Sequence, residues 1–185
     1  EKLNNNVLRN VYYLYLSDIQ GSENLALDYL RLCYKYGIDI NLAKNNETII
    51  LVDKYCKRVS GEAHSFTGFV RFKEIGPLSY YSVIEPDHNI LPIILRHFTN
   101  RFSDQNFIIH DLKREKAIVY NTKEAIITDL TKEQGEKLSN KIDDSDFENL
   151  WRTFYNSVNI EERKNHKCRN QHMPRRYWKH LTELQ

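Results

Sequence analysis

Proline and glycine are scarce, four and six residues respectively in a chain of 185. That excludes collagen-like and low-complexity chains and leaves long stretches free to form uninterrupted helices and strands. Cysteine is equally thin. Cys33, Cys56 and Cys168 are odd in number, scattered and without a CxxC pair, which argues against a disulfide framework and fits reduced thiols in a cytoplasm. No run approaches the roughly 18 consecutive apolar residues of a membrane helix, so no membrane role is expected, and no signal peptide is visible. The GxGxxG and Walker A phosphate loops, the radical-SAM CxxxCxxC, the GxSxG elbow and the HExxH metal motif are all missing. With them go the nucleotide, radical-SAM and serine-hydrolase readings, and neither cofactor nor metal is expected.

What remains is a globular composition, 41% hydrophobic and 28% charged, with twelve tyrosines against two tryptophans. The formal net charge of +2 conceals an asymmetry. Residues 1–160 hold 20 Lys+Arg and 22 Asp+Glu, a balance of −2; residues 161–185 hold 7 and 3, a balance of +4. A basic tail on a mildly acidic body is either an anion-binding surface or an ordinary solvated helix face.

The hydrophobic pattern predicts an α+β fold. Residues 3–17 carry helical spacing, a second helix capped by Ser22 runs to about Tyr36 with Gly37 as its stop, and a third starts after Asn45 or Asn46 and ends near Ala63. Together they form an N-terminal helical bundle over residues 1–65. Residues 66–130 read as a twisted, mostly antiparallel sheet in the order β-β-α-β-β-β, covered by a helix. Phe66–Phe72 alternates, Gly76-Pro77 turns, and Tyr80–Ile84 pairs back. Asp87 is placed to cap a helix over residues 88–101, with Pro92 in its first turn. Phe107–Asp111, Ala117–Tyr120 and Ala125–Thr128 follow as strands. Residues 131–144 are a polar linker, and residues 145–185 a basic helical tail packed on the same domain. In that tail Ser145-Asp146-Phe147-Glu148 is a capping box, Leu150, Phe154 and Val158 turn to the core, Asn159 caps a short helix to about His166, and Pro174 starts the last helix.

Two constellations carry chemistry. Glu85, Asp87 and His88 precede the central helix, and His110 and Asp111 end the strand beyond it. Carboxylates and imidazoles in that combination suit a metal or an acid–base pair for hydrolysis, as in a metal-assisted hydrolase or nuclease. The plainer reading gives Asp87 to a helix cap and His110 and Asp111 to turns. His64, at the expected end of the third helix, fits the negative pole of the helix dipole. His166, Cys168 and His172 lack the paired spacing of a zinc site. The second constellation is the tail itself. Arg163, Lys167, Arg169, Arg175, Arg176 and Lys179 are candidates for phosphate contacts, and Tyr177 or Trp178 for stacking on a base. The alternative packs Tyr177, Trp178 and Leu181 against the rest of the domain.

Three blocks, GEAHSFTGFVRF (Gly61–Phe72), Tyr80–Arg114 and Leu150–Glu183, resemble a bacterial family described as probable DNA metabolism proteins. The resemblance spans nearly the whole chain. It departs at Asn165-His166, where relatives often have Asn-Pro, and at His172, where many have an aromatic residue, so neither histidine inherits a family role. Members are encoded beside a radical-SAM protein thought to modify or repair DNA, and some are fused ahead of a uracil-DNA glycosylase domain. They also carry an extra N-terminal stretch, in keeping with a chain that opens on Glu1. The resemblance implies a DNA-repair setting with DNA and those proteins as partners, and it supplies no catalytic residues. The resulting expectation is an accessory, non-catalytic module that binds DNA, a partner enzyme or both. The hydrolase and a pure interaction module for the radical-SAM protein are the alternatives.

Overall fold

A computed structural model describes residues 4–139, 145–158, 160 and 165–184. It divides into two units, Glu1–His64 with Pro86–Ile90, and Ser65–Glu85 with Leu91–Gln185. The fold class is the α+β arrangement expected.

In the first unit, α1 (Asn5–Leu16) starts at Asn4, whose side chain accepts the Val7 N–H. α2 (Ser22–Tyr36) is entered from Gly21, so Ser22 is its first residue and not its cap. Gly37, at φ 78°, closes it by donating its N–H to Cys33, a conformation that a side chain resists. A 3₁₀ turn, Ile38–Leu42, leads towards α3 (Glu47–Phe69). Val7, Leu14, Tyr29, Cys33, Ile49 and Val52 form the core. The Tyr29 hydroxyl, taken out of water there, accepts from Asn10 at 3.0 Å and donates to Asn41 at 2.8 Å. Burial pushes its pKa up to about 12.

α3 runs Glu47–Phe69 rather than stopping near Ala63. Val52, Val59, Ala63 and Phe66 are all buried, and their spacing is helical. The period-two pattern of Phe66–Phe72 is overridden because a propagating helix gains one hydrogen bond per added residue and meets no proline here, and a single Gly68 is tolerated. The first strand therefore begins only at Lys73.

The second unit holds a five-stranded sheet in chain order: β1 (Lys73–Gly76), β2 (Ser79–Ile84), β3 (Asn106–Asp111), β4 (Lys116–Tyr120) and β5 (Ala125–Asp129). β2 and β3 are parallel, and every other neighbour pair is antiparallel. The parallel step requires a crossover, supplied by α4 (Leu91–Arg101). α4 starts three residues later than expected, so Asp87 does not cap it, whereas Pro92 does sit in its first turn. One sheet face carries Phe107, Ile109, Ile118 and Tyr120, all buried. Phe98 of α4 meets Phe107 there at 6.4 Å between rings, and Phe72 and Phe102 extend the aromatic cluster. The opposite face carries Tyr81, His110 and Ala117.

The segment expected to be a linker contains a helix, α5 (Lys132–Ser139); residues 140–144 lie outside the described part. α6 (Ser145–Val158) begins where the capping box was expected, although the side chains of Ser145–Glu148 are outside the description. Leu150, Phe154 and Val158 do not turn to the core; they are 65%, 53% and 56% exposed. Helical spacing specifies an apolar face but not what that face packs against. α7 is His166–His172, capped by Asn165; the short helix expected from Asn159 falls largely on residues outside the description. After Pro174 the chain closes with 3₁₀ turns at Arg175–His180 and Thr182–Leu184.

Candidate nucleic-acid interface

The C-terminal segment is anchored to its unit by four side chains, Tyr177, Lys179, Leu181 and Glu183. Tyr177, expected as a stacking ring, is 4% exposed and packs on Phe66 and Phe69 at 4.9 and 5.8 Å between centroids. Leu181 is fully buried. Arg71 donates two hydrogen bonds, 2.6 and 3.2 Å, to the carboxylate of Glu183. Lys179 bonds Glu85, and His180 lies 3.7 Å from the same carboxylate. Burial lowers the His180 pKa against the pull of Glu85.

Those anchors consume Glu183, the one carboxylate of residues 165–184, and leave its cations in surplus. The Trp178 indole is pinned by its N–H to the Met173 carbonyl at 2.9 Å. The guanidinium groups of Arg169 and Arg175 lie over its ring at 4.6 and 5.6 Å. Arg176 lies over Tyr177 at 4.7 Å and donates to its hydroxyl. Stacking on a ring orients a guanidinium without neutralising it. Lys167, Arg169 and Arg175 form no ion pair among the described residues, and Nε of Arg169 is buried without a hydrogen bond there. Lys167, Arg175 and Arg176 are exposed. Arg163, the remaining candidate, lies outside the described residues.

The five residues of the other constellation are each engaged. Asp87 and His88 belong to the first unit, where their backbone N–H groups donate to the two oxygens of Glu62 at 2.8 and 2.9 Å. Nδ1 of His88 faces the Ser17 carbonyl at 2.8 Å and therefore donates to it. In the second unit Glu85 holds Lys179. Asp111 is fully buried and accepts from the N–H groups of Lys113 and Arg114 and, at 2.8 Å, from the Arg114 guanidinium. Burial still raises its pKa, outweighing the arginine. Among the described residues no three His, Cys, Asp or Glu side chains gather as a metal ligand set. That also describes His166, Cys168 and His172 on α7, and His64 on the outside of α3. Neither a hollow of about 520 Å³ lined in part by Arg9, Asn10, Lys44 and Asp53 nor one of about 200 Å³ between Phe72, Phe102 and Phe107 includes any of the five.

His110 sits in a polar knot that sequence reasoning missed. Its ring is fully buried, with Nε2 2.8 Å from the Leu130 carbonyl and Nδ1 2.7 Å from the Tyr81 hydroxyl. A carbonyl only accepts, so Nε2 carries the proton, and Nδ1 accepts from Tyr81 in a neutral imidazole. Burial lowers the His110 pKa and pushes Tyr81 up to about 12. Gly135 of α5 lies directly over this pair. A Cβ there would stand 2.5 Å from Tyr81 Oη and 2.6 Å from His110 Nδ1. The signal available in the sequence was a lone glycine amid helix-forming polar residues.

A family model for a domain of unknown function, DUF4130, matches residues 20–183. The chain belongs to this family. The match takes in all the strands and most of the C-terminal segment, so Arg169, Arg175, Trp178 and the His110 knot lie within the matched region. No curated protein and no solved structure matches the chain.

Proposed function

We propose that this DUF4130 chain is an accessory protein of DNA repair or DNA modification that grips a nucleic-acid backbone through Lys167, Arg169, Arg175 and Arg176. The observation that carries the reading is the pair of guanidinium groups held over Trp178 with no carboxylate partner among the described residues. Two oriented, uncompensated forks suit phosphate oxygens, and phosphate contacts give affinity without reading bases. The ring of Tyr177 serves as an anchor, and the ring of Trp178 as the platform for the arginines. The resemblance to DNA metabolism proteins points the same way.

The test is fluorescence anisotropy with single- and double-stranded DNA across a salt series. Binding is expected to weaken steeply with salt. Arg175→Ala with Arg176→Ala should flatten the slope by about 0.7–0.9 for each phosphate that is no longer neutralised, on every sequence alike. Salt-insensitive binding, or none, would sink the reading.

A protein partner is the second reading, favoured by the exposed Leu150, Phe154 and Val158 row of α6. The radical-SAM protein implied by the resemblance is the partner to test. Co-purification with it that survives Phe154→Asp unchanged would count against this row.

A further inference from the structure

The two edges of the sheet differ. β1 opens on exposed Lys73 and its register breaks between Glu74 and Gly76, both of which discourage further pairing. β5 has no irregularity in its register, no proline and no lysine within Ala125–Asp129. The Asn121 N–H donates to Glu124 at one end of the β4–β5 ladder, and the Leu130 N–H to Glu115 at the other. Antiparallel ladders alternate, so 124, 126, 128 and 130 are the residues bonded to β4. The N–H and C=O groups of Ala125, Ile127 and Asp129 therefore point away from the sheet, and none has a partner among the described residues. Ile126 and Ile127 are 55% and 38% exposed.

We infer that this edge pairs with the same edge of a second copy of the chain, antiparallel about a two-fold axis through Ile126, joining the two five-stranded sheets. The strand is its own complement about that axis. Within β5 Ile126 faces Ile126 and Ala125 faces Ile127, and just before it Glu124 and Lys123 of the turn come opposite Thr128 and Asp129. Apolar side chains meet apolar ones, opposite charges meet on both sides of the axis, and no like charges oppose each other. Ala125 and Ile127 exchange their outward N–H and C=O groups with Ile127 and Ala125 of the second copy. On the His110 face, Val119 is the register neighbour of Ile126, so the pairing makes an unbroken apolar row of Val119, Ile126 and their two counterparts. Moving the axis to Ile127 would set Asp129 against Ala125 and Ile126 against Thr128, losing both matches.

Light scattering of the full chain across a concentration series should show the mass rising from 22.1 kDa towards twice that value. Ile126→Lys puts two cations on the axis and should raise the dissociation constant roughly tenfold or more. In a Cys168→Ser background, Ile126→Cys should form an intermolecular disulfide under mild oxidation. Its Cα separation in a non-hydrogen-bonded pair, about 4.5 Å, lies within the range disulfides span. Thr128→Cys should stay unlinked. A chain that is monomeric throughout with no Ile126→Cys cross-link would overturn the pairing, as would a dimer untouched by Ile126→Lys. Cross-linking at Thr128→Cys in place of Ile126→Cys would overturn the axis.

Discussion

Gly135→Ala separates two physical effects of opposite sign. By helix propensity alone, alanine in the middle of α5 should stabilise the protein by about 1 kcal/mol. The packing opposes it. The added methyl carbon would lie 2.5 Å from Tyr81 Oη, 2.6 Å from His110 Nδ1 and 2.7 Å from His110 Cε1. These atoms belong to two rings held in the sheet and bonded to each other, so relief means moving α5 or breaking the Tyr81–His110 bond. Overpacking costs about 1–3 kcal/mol, and a buried donor or acceptor left unsatisfied about 1–3 kcal/mol. The same displacement relieves part of both, so the net loss should be about 2–3 kcal/mol. At roughly 2–4 °C per kcal/mol for a chain of this size, the midpoint should fall by roughly 4–12 °C. Near-ultraviolet circular dichroism would follow the melt through the tyrosines. A variant that melts at or above the wild type would refute the steric argument. Tyr81→Phe removes the nearest atom, so the Gly135→Ala/Tyr81→Phe double variant should lose less than the sum of the single changes, by about 0.5 kcal/mol or more.

Acid should weaken the second unit through His110. Burial holds its pKa below the ordinary 6.5, so the unfolded chain takes up the proton first; stability is fully present above about pH 6.5 and declines as pH falls below it. Urea melts at about pH 7.5 and about pH 5.5 should show that loss. His110→Gln should reduce the slope without abolishing it, because burial lowers His180 too; an unchanged slope would rule His110 out as its source. In the first unit, Glu62→Ala removes the acceptor of two backbone N–H groups and should cost about 2–4 kcal/mol, with faster amide exchange at Asp87 and His88. Unchanged protection of those amides would show that Glu62 does not hold the loop.

The sequence exposed its strands better than its helices. β2 to β5 alternate or run apolar between recognisable turns, so their places were legible within a residue or so. α3 was misjudged because Phe66–Phe72 satisfies two periods at once, and only the upstream helix decides between them. α5 was invisible for a different reason. Its buried contact is made by a residue with no side chain, so no apolar period marks it. α6 shows the converse, a clear apolar face whose partner the pattern does not name. For the site, the tail's charge was readable, but the neutralisation of Glu183 by Arg71, 112 residues away in sequence, depends on the fold. Of the residues flagged for catalysis, Glu85 holds the tail, and His88, His110 and Asp111 hold backbone groups; most of those partners are distant in sequence and only the fold brings them together.

The division of the chain has a consequence for its synthesis. The first unit takes Glu62 from one stretch and the N–H groups of Asp87 and His88 from another, and between them the ribosome must translate β1 and β2 of the second unit. At about 5–20 residues per second, Glu62 waits a second or more for its donors. Meanwhile β2 emerges without β3, its parallel neighbour, which follows only after α4. Neither unit can finish before the other has begun, so the nascent chain folds as an interleaved whole rather than domain by domain. A cut between His64 and Ser65 would not release two halves. It would sever α3 and leave the N-terminal piece without Pro86–Ile90, which the other piece keeps.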